Sequence, residues 1–181
     1  MKRAISRFIL WITGWKVDKE IPNNTTRCVV AMAPHTSNWD FVLGRLALNI
    51  YGVKAKMLVK KELFFFPLGF FLKRMGAIPV DRKKKTNITQ MVVDLYKKHD
   101  DLVILFTPEG TRSYQPNWKK GFYYVAQKAE VPILIAYIDY KKRTGGFGPE
   151  FTATGDVDKD IETIKSFCRT ITPKHPDWGV K

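Results

Sequence analysis

The stretch APHTSNWDF, residues 33–41, sets one histidine, His35, five positions ahead of a carboxylate, Asp40. These two residue types can make a general base and the group that orients it. On a continuous helix five positions would leave them about 140° apart. Ser37, however, can cap a helix that starts at Asn38. His35 then lies just outside the helix and Asp40 in its first turn, where the two side chains can meet. A carboxylate on one ring nitrogen fixes the tautomer and stabilises the imidazolium. The other nitrogen is left to take a proton, near neutral pH for a histidine. The plainer alternative is a structural histidine beside an ordinary Ser-x-x-Asp capping box. The pair alone does not decide between them.

Three further stretches carry polar groups at the ends of apolar runs. GAIPVDR, residues 76–82, brings out Arg82, whose guanidinium can grip phosphate with two parallel hydrogen bonds or can simply be a solvated strand end heading the basic run RKKK. TPEGTRS, residues 107–113, packs Glu109, Thr111 and Arg112 around Gly110, which permits a close backbone approach. That turn can hold a phosphorylated head, or it can be a plain connection from strand to helix. VPILIAYIDY, residues 131–140, reads by itself as a buried strand.

The elements that must position these groups follow from periodicity. RCVVAMA, KAKMLVK, AIPV, LVILFT and VPILIAYIDY read as strands, and FTATG as an edge strand. Between them, FVLGRLALNIYG, TNITQMVVDLYKKH with a Thr86 cap, KKGFYYVAQKAE and the terminal DVDKDIETIKSFCRTI read as helices. Strand and helix alternate, so the expected fold is a single α/β domain over residues 1–181, with a mainly parallel central sheet flanked by helices. Its motif-bearing core covers residues 28–140, and an edge strand and helix fill 141–181. Ligands in such sheets bind beyond the carboxyl ends of the strands.

Two apolar segments leave alternatives open. Residues 1–20 contain a short basic helix with Ile5, Phe8, Trp11, Ile12 and Trp15. It can lie in a lipid interface or pack on the core. LFFFPLGFFL, flanked by Lys60, Lys61, Lys73 and Arg74, can dip into the acyl boundary of a bilayer, shape an acyl tunnel, or be core. Neither reaches the roughly 18–20 apolar residues of a membrane span. The basic start is followed by no small-residue cleavage site, so it reads as mature protein.

Thirty-one Lys and Arg against seventeen Asp and Glu leave a net charge of +14. That favours a polyanionic partner: nucleic acid, an anionic membrane or a phosphorylated substrate. No zinc-finger, RNP-type or helix-turn-helix signature is present, so nucleic acid is not expected. Cys28 and Cys168 share no spacing motif, which fits a reducing compartment. Together with three scattered histidines they do not make a zinc site.

Taken together and in this order, the four stretches resemble the glycerolipid acyltransferase family, of the 1-acyl-sn-glycerol-3-phosphate acyltransferase type. His35 and Asp40 match its His-x4-Asp block, GAIPVDR its Gly-x4-Asp-Arg block, PEGTRS its third block, and the Val-Pro strand its fourth. KKEL at 60–63 and KKG at 119–121 look like its intervening segments. The chain departs from the pattern at Pro79, Thr107 and Ile135. The resemblance implies acyl transfer from an acyl carrier protein or coenzyme A thioester to the sn-2 hydroxyl of lysophosphatidate. His35 would be the general base, with Asp40 orienting it. Lys60, Arg82, Glu109, Gly110, Thr111 and Arg112 would bind the glycerophosphate, and Pro132 the acyl chain. No metal or resident cofactor is implied. The location implied is cytoplasmic, peripheral on the inner face of the cell membrane, in phospholipid biosynthesis. The same chemistry on another lipid acceptor, such as an N-acyl amino-acid lipid, stays open, as does a non-catalytic lipid- or nucleic-acid-binding module.

Overall fold

The computed structural model describes residues 1–18, 22, 26–81 and 88–181. Among these residues seven strands form one sheet: β1 (Lys16–Val17), β2 (Arg27–Met32), β3 (Ala55–Lys60), β4 (Ala77–Val80), β5 (Leu102–Phe106), β6 (Ile133–Asp139) and β7 (Thr144–Phe151). Their order is β1-β7-β6-β2-β5-β3-β4. The pairs β6–β2, β2–β5, β5–β3 and β3–β4 are parallel, and β7 runs antiparallel to β6. The mainly parallel α/β sheet is therefore present. Its centre is the β-branched run of β2, buried on both faces as a parallel strand requires.

Among the described residues six α-helices accompany it: α1 (Lys2–Ile12), α2 (Asn38–Tyr51), α3 (Leu68–Arg74), α4 (Ile88–Lys98), α5 (Gly121–Ala129) and α6 (Val157–Cys168). The chain moves from β2 to β3 to β4 in one direction across the sheet, and from β4 to β5 to β6 in the other. Right-handed crossovers therefore put α2 and α3 on one face, and α4 and α5 on the opposite one. The side chains agree. Val29, Ile104 and Ile133 pack with Val92 of α4, Phe122 and Val125 of α5 and Ile164 of α6. Their neighbours Cys28, Val30, Val103 and Leu134 pack with Leu48 of α2. Between β2 and β5 the outgoing connections leave to opposite faces. This is the topological switch point, the crevice where such sheets bind ligands.

The edge strand differs from expectation. FTATG is not a strand beyond Phe151. The antiparallel strand runs over TGGFGPEF instead and is covered in turn by two-residue β1. Three glycines and a proline hide β7 from propensity. Gly146 earns its place by packing: a Cβ there would come 2.7 Å from Asp18 Cβ. The expected Thr86 cap of α4 lies outside the described residues.

The two apolar segments are exposed, not core. α1 buries Ser6 and Leu10 against α2, with Asn49 Nδ2 donating to Ser6 Oγ at 3.2 Å. Its Ile5, Phe8, Trp11 and Ile12 face outward. Phe65, Phe66, Phe70 and Phe71, around the 3₁₀ turn Lys61–Leu63 and α3, are exposed too, Phe66 at 90%. Among the described residues no helix is long and apolar enough to cross a membrane. Both cysteines are buried and free.

Candidate active site

β2 ends at Met32, and the chain turns through Pro34 to His35 at the switch point. Ser37, in extended backbone, caps α2, and Asp40 sits at the third helical position. Both halves of a capping box are present, so the structural role of Asp40 is met. The same carboxylate also meets the histidine. Asp40 Oδ2 lies 3.1 Å from His35 Nδ1 and accepts the N–H groups of Thr36 and Ser37, each at 2.9 Å. Its other oxygen, Oδ1, accepts the Tyr140 hydroxyl at 2.7 Å. The cap and the dyad are one arrangement and not alternatives. Burial pushes the Asp40 carboxyl upward, but hydrogen bonds from His35, Tyr140 and Ser37 more than offset this and hold it below the ordinary value. An ionised acceptor on Nδ1 requires the proton there, which leaves Nε2 as the basic nitrogen. The Asp40 side chain is 2% exposed and that of His35 18%, so solvent reaches the histidine and not its orienter.

β5 delivers the second loop. Pro108 and Glu109 are buried, Gly110 takes a left-handed φ of 67°, and Gly110, Thr111 and Arg112 are exposed. Glu109 does not present a free carboxylate to a substrate. Its oxygens accept the backbone N–H of His35 at 3.0 and 3.2 Å, tying the β5 loop to the β2 loop across the switch point. Burial raises its carboxyl to about 7, and the nearby negative charge of Asp40 adds to the rise against the bond and charge of His35. Arg112 Nη1 donates to Asn38 Oδ1 at 2.6 Å, holding the guanidinium beside the first turn of α2.

The structure therefore brings His35, Asp40, Glu109, Gly110, Thr111 and Arg112 to one edge. Lys60 is exposed at the carboxyl end of β3, two strands from β2 on the same edge. Arg82 lies outside the described residues; Val80 ends β4 on that edge. Pro132 is not brought to the site. It precedes β6 at the amino ends of the strands, where its carbonyl accepts the Val29 N–H. That is the far side of the sheet from His35, about 20 Å at 3.3 Å per residue. A cavity of about 440 Å³ does adjoin the site loop, lined by Leu58, Val80, Ile88, Leu105, Phe106 and Phe122, with Thr107, Gly110 and Lys119.

Sequence reasoning missed Tyr140, Asn38 and the C-terminal strap. Thr172 O accepts the Tyr140 N–H at 2.8 Å, and Thr36 Oγ1 accepts the His175 N–H at 3.2 Å. Tyr140 closes the quoted strand VPILIAYIDY, where a hydroxyl at a carboxyl-edge strand end was the available signal. The strap shows no pattern in sequence, because its contacts are made by backbone.

The site thus sets a histidine against a buried carboxylate at the switch point of an α/β sheet. A family model described as acyltransferase matches residues 16–139, and this chain belongs to that family. It is 31% identical over 141 residues to a 1-acyl-sn-glycerol-3-phosphate acyltransferase of Streptococcus pneumoniae, covering 73% of this chain and 50% of that protein. It is 28% identical over 105 residues to the human 1-acyl-sn-glycerol-3-phosphate acyltransferase beta, covering 54% and 38%. The chain thus spans half or less of the length of these relatives. The crystal structure of the 1-acyl-sn-glycerophosphate acyltransferase PlsC of Thermotoga maritima superposes with a TM-score of 0.66 at 15% identity, over 93% of this chain and 77% of that one, a likeness of fold.

Proposed function

We propose that the chain is a membrane-associated O-acyltransferase that moves a fatty acyl group from an acyl carrier protein or coenzyme A thioester to the sn-2 hydroxyl of lysophosphatidate. The observation that carries this reading is the His35–Asp40 contact at 3.1 Å, made by a carboxylate that also accepts hydrogen bonds from Thr36, Ser37 and Tyr140. His35 Nε2 takes the proton of the acceptor hydroxyl as its oxygen attacks the thioester carbonyl. The tetrahedral oxyanion collapses, the carbon–sulfur bond breaks, and the imidazolium returns the proton to the departing thiolate. Asp40 holds the tautomer and stabilises the imidazolium throughout.

Arg112, on the exposed side of the loop, is assigned to the phosphate of the acceptor, with Lys60 as a further cation on that edge; Arg82 is assigned there by the family resemblance alone. Glu109 supports the histidine loop and is not a substrate contact. The apolar cavity beside Gly110 suits an acyl chain, the role first given to Pro132. The exposed apolar residues of α1 and α3, bordered by Lys2, Arg3, Arg7, Lys73 and Arg74, suit the surface of an anionic bilayer.

The test is acyl transfer in liposomes from acyl carrier protein and coenzyme A thioesters, each run beside His35→Ala. Lysophosphatidate, glycerol 3-phosphate and an N-acyl amino-acid lipid are the acceptors. Turnover on lysophosphatidate should fall by about 10³-fold or more in the variant. Undiminished turnover in a folded His35→Ala protein overturns the mechanism. Turnover only on another acceptor replaces the substrate and keeps the chemistry.

A further inference from the structure

Asp40 needs both of its oxygens held if it is to keep one orientation. Oδ2 is fixed three times over, by His35 Nδ1 and the N–H groups of Thr36 and Ser37. Oδ1 accepts the Tyr140 hydroxyl at 2.7 Å. Tyr140 lies one residue past the end of β6 and one residue past the segment matched by the family model.

Tyr140 is itself held from two directions. Its backbone N–H donates to Thr172 O at 2.8 Å, and its ring meets that of Trp15 edge-on at 5.1 Å, just beyond α1. The segment after α6 grips the other side of the dyad as well, through the His175 N–H on Thr36 Oγ1 at 3.2 Å. Thr36 in turn donates its own N–H to Asp40. Residues 172–175 therefore bind two of the four residues that hydrogen-bond the Asp40 carboxylate, Tyr140 and Thr36.

We propose that Tyr140, carried by this C-terminal strap, is a positioning residue of the His35–Asp40 pair: its hydroxyl fixes Asp40 Oδ1 and so sets how strongly the carboxylate holds the proton on His35. The proposal rests on the reading of His35 as the base. A carboxylate that accepts a hydroxyl hydrogen bond spreads its charge onto that donor and becomes a weaker acceptor toward the imidazole. Without the bond, Asp40 holds the imidazolium more strongly, and His35 stays protonated to higher pH. Tyr140 never touches the reacting atoms in this scheme. It acts on the acid side of the pH profile and on kcat, and leaves acceptor binding alone.

Other charged groups surround the pair and must stay constant in the test. They are Glu109 on the His35 N–H, Arg112 on Asn38, Lys174 stacked over Trp39, His175 on the strap, and Arg143, which lines the same groove as Tyr140. None is altered by Tyr140→Phe, which also keeps the ring against Trp15.

The experiment uses the full chain, wild type and Tyr140→Phe, with thermal unfolding to verify the fold. The His35 imidazole is titrated by NMR, and kcat and KM are followed from pH 5 to 9 on the donor–acceptor pair that the wild type turns over. The expected result is a His35 midpoint raised by about 0.5 to 1 unit. The acid limb of kcat/KM should rise with it, kcat at pH 6 should fall about three- to tenfold, and KM should stay unchanged. An unmoved His35 midpoint in a folded Tyr140→Phe protein overturns the proposal, whether or not activity falls. A raised KM with an unmoved pH profile overturns it too and makes Tyr140 a binding residue. The NMR midpoint needs no turnover. A shifted midpoint together with a fully active His35→Ala protein would therefore keep the Tyr140 contact and remove the catalytic reading of His35.

Discussion

Two buried carboxylates stand within one loop pair, and their environments push them apart. Asp40 collects donors on both oxygens and stays ionised, whereas Glu109 has one N–H to share and is raised to about 7. That difference can be measured as stability. A carboxyl whose folded value lies above its ordinary 4.5 binds its proton more tightly in the folded chain. Between pH 4.5 and about 7 the contribution of Glu109 therefore falls as pH rises, and it levels off above that range. Glu109→Gln keeps an oxygen to accept the His35 N–H and has no proton to lose. Relative to wild type, the variant should gain about 1 to 3 kcal/mol between pH 5 and pH 8. Denaturant unfolding at the two pH values reads this directly, and parallel stability curves for the two proteins would refute it. The site was half legible at this scale. His35 and Asp40 could be set side by side because side-chain type and helix-cap spacing carried them, whereas Arg112 was given its role only by the family resemblance. The true partner of Glu109 could not, because a backbone N–H has no letter in the sequence.

Elements were legible where periodicity and burial agree and illegible where packing overrides propensity. β2 and β5 announce themselves as β-branched runs with both faces buried. β7 does not, because its glycines admit Asp18 and Phe167 against the strand, a close approach that only the fold reveals. α1 and α3 show the other limit. Their apolar residues were plain, but sequence alone left them free to face the core or away from it. Ser6 and Leu10 of α1 turn inward, and in α3 only Gly69 is buried. A Cβ on Gly69 would come within 2.6 Å of the Phe64 backbone, so α3 folds back tightly and presents its phenylalanines outward. If that element docks on lipid, Phe66→Ser with Phe70→Ser should lower partitioning onto anionic vesicles by about tenfold or more. Two partly inserted rings contribute about 1 kcal/mol each, and 1.4 kcal/mol is a factor of ten. Vesicle co-sedimentation reads the change, and far-UV circular dichroism should stay native, since both side chains are exposed. Undiminished partitioning would take α3 out of the docking surface.

Across the whole molecule, the direction of the chain through the sheet sorts the surface. Right-handed crossovers place α2 and α3 on one face, and α1 packs on α2. The same face thus carries Ile5, Phe8, Trp11, Ile12, Trp39, Phe41 and Val42, together with the phenylalanines of α3. The opposite face is closed by α4, α5 and α6 over the larger core. Lys2, Arg3, Arg7, Lys60, Lys61, Lys73 and Arg74, all exposed, belong to the segments bearing the apolar residues. Seven of the thirty-one cations thus share their segments with the exposed apolar residues. Each cation near an anionic leaflet contributes about 1 kcal/mol at physiological salt. The attraction fades as the Debye length shrinks from about 10 Å at 0.1 M salt to about 3 Å at 1 M. Apolar insertion keeps its strength over the same range. Partitioning onto vesicles with about a third anionic lipid should therefore drop at least tenfold between 0.1 and 1 M salt, then settle at the level seen on neutral vesicles. Lys73→Glu with Arg74→Glu should lower the low-salt value and leave that plateau in place, because it removes charge and no apolar surface. Binding that ignores salt would mean that the cations sit away from the lipid. Binding that vanishes entirely in high salt would mean that the aromatic residues of α1 and α3 stay in water.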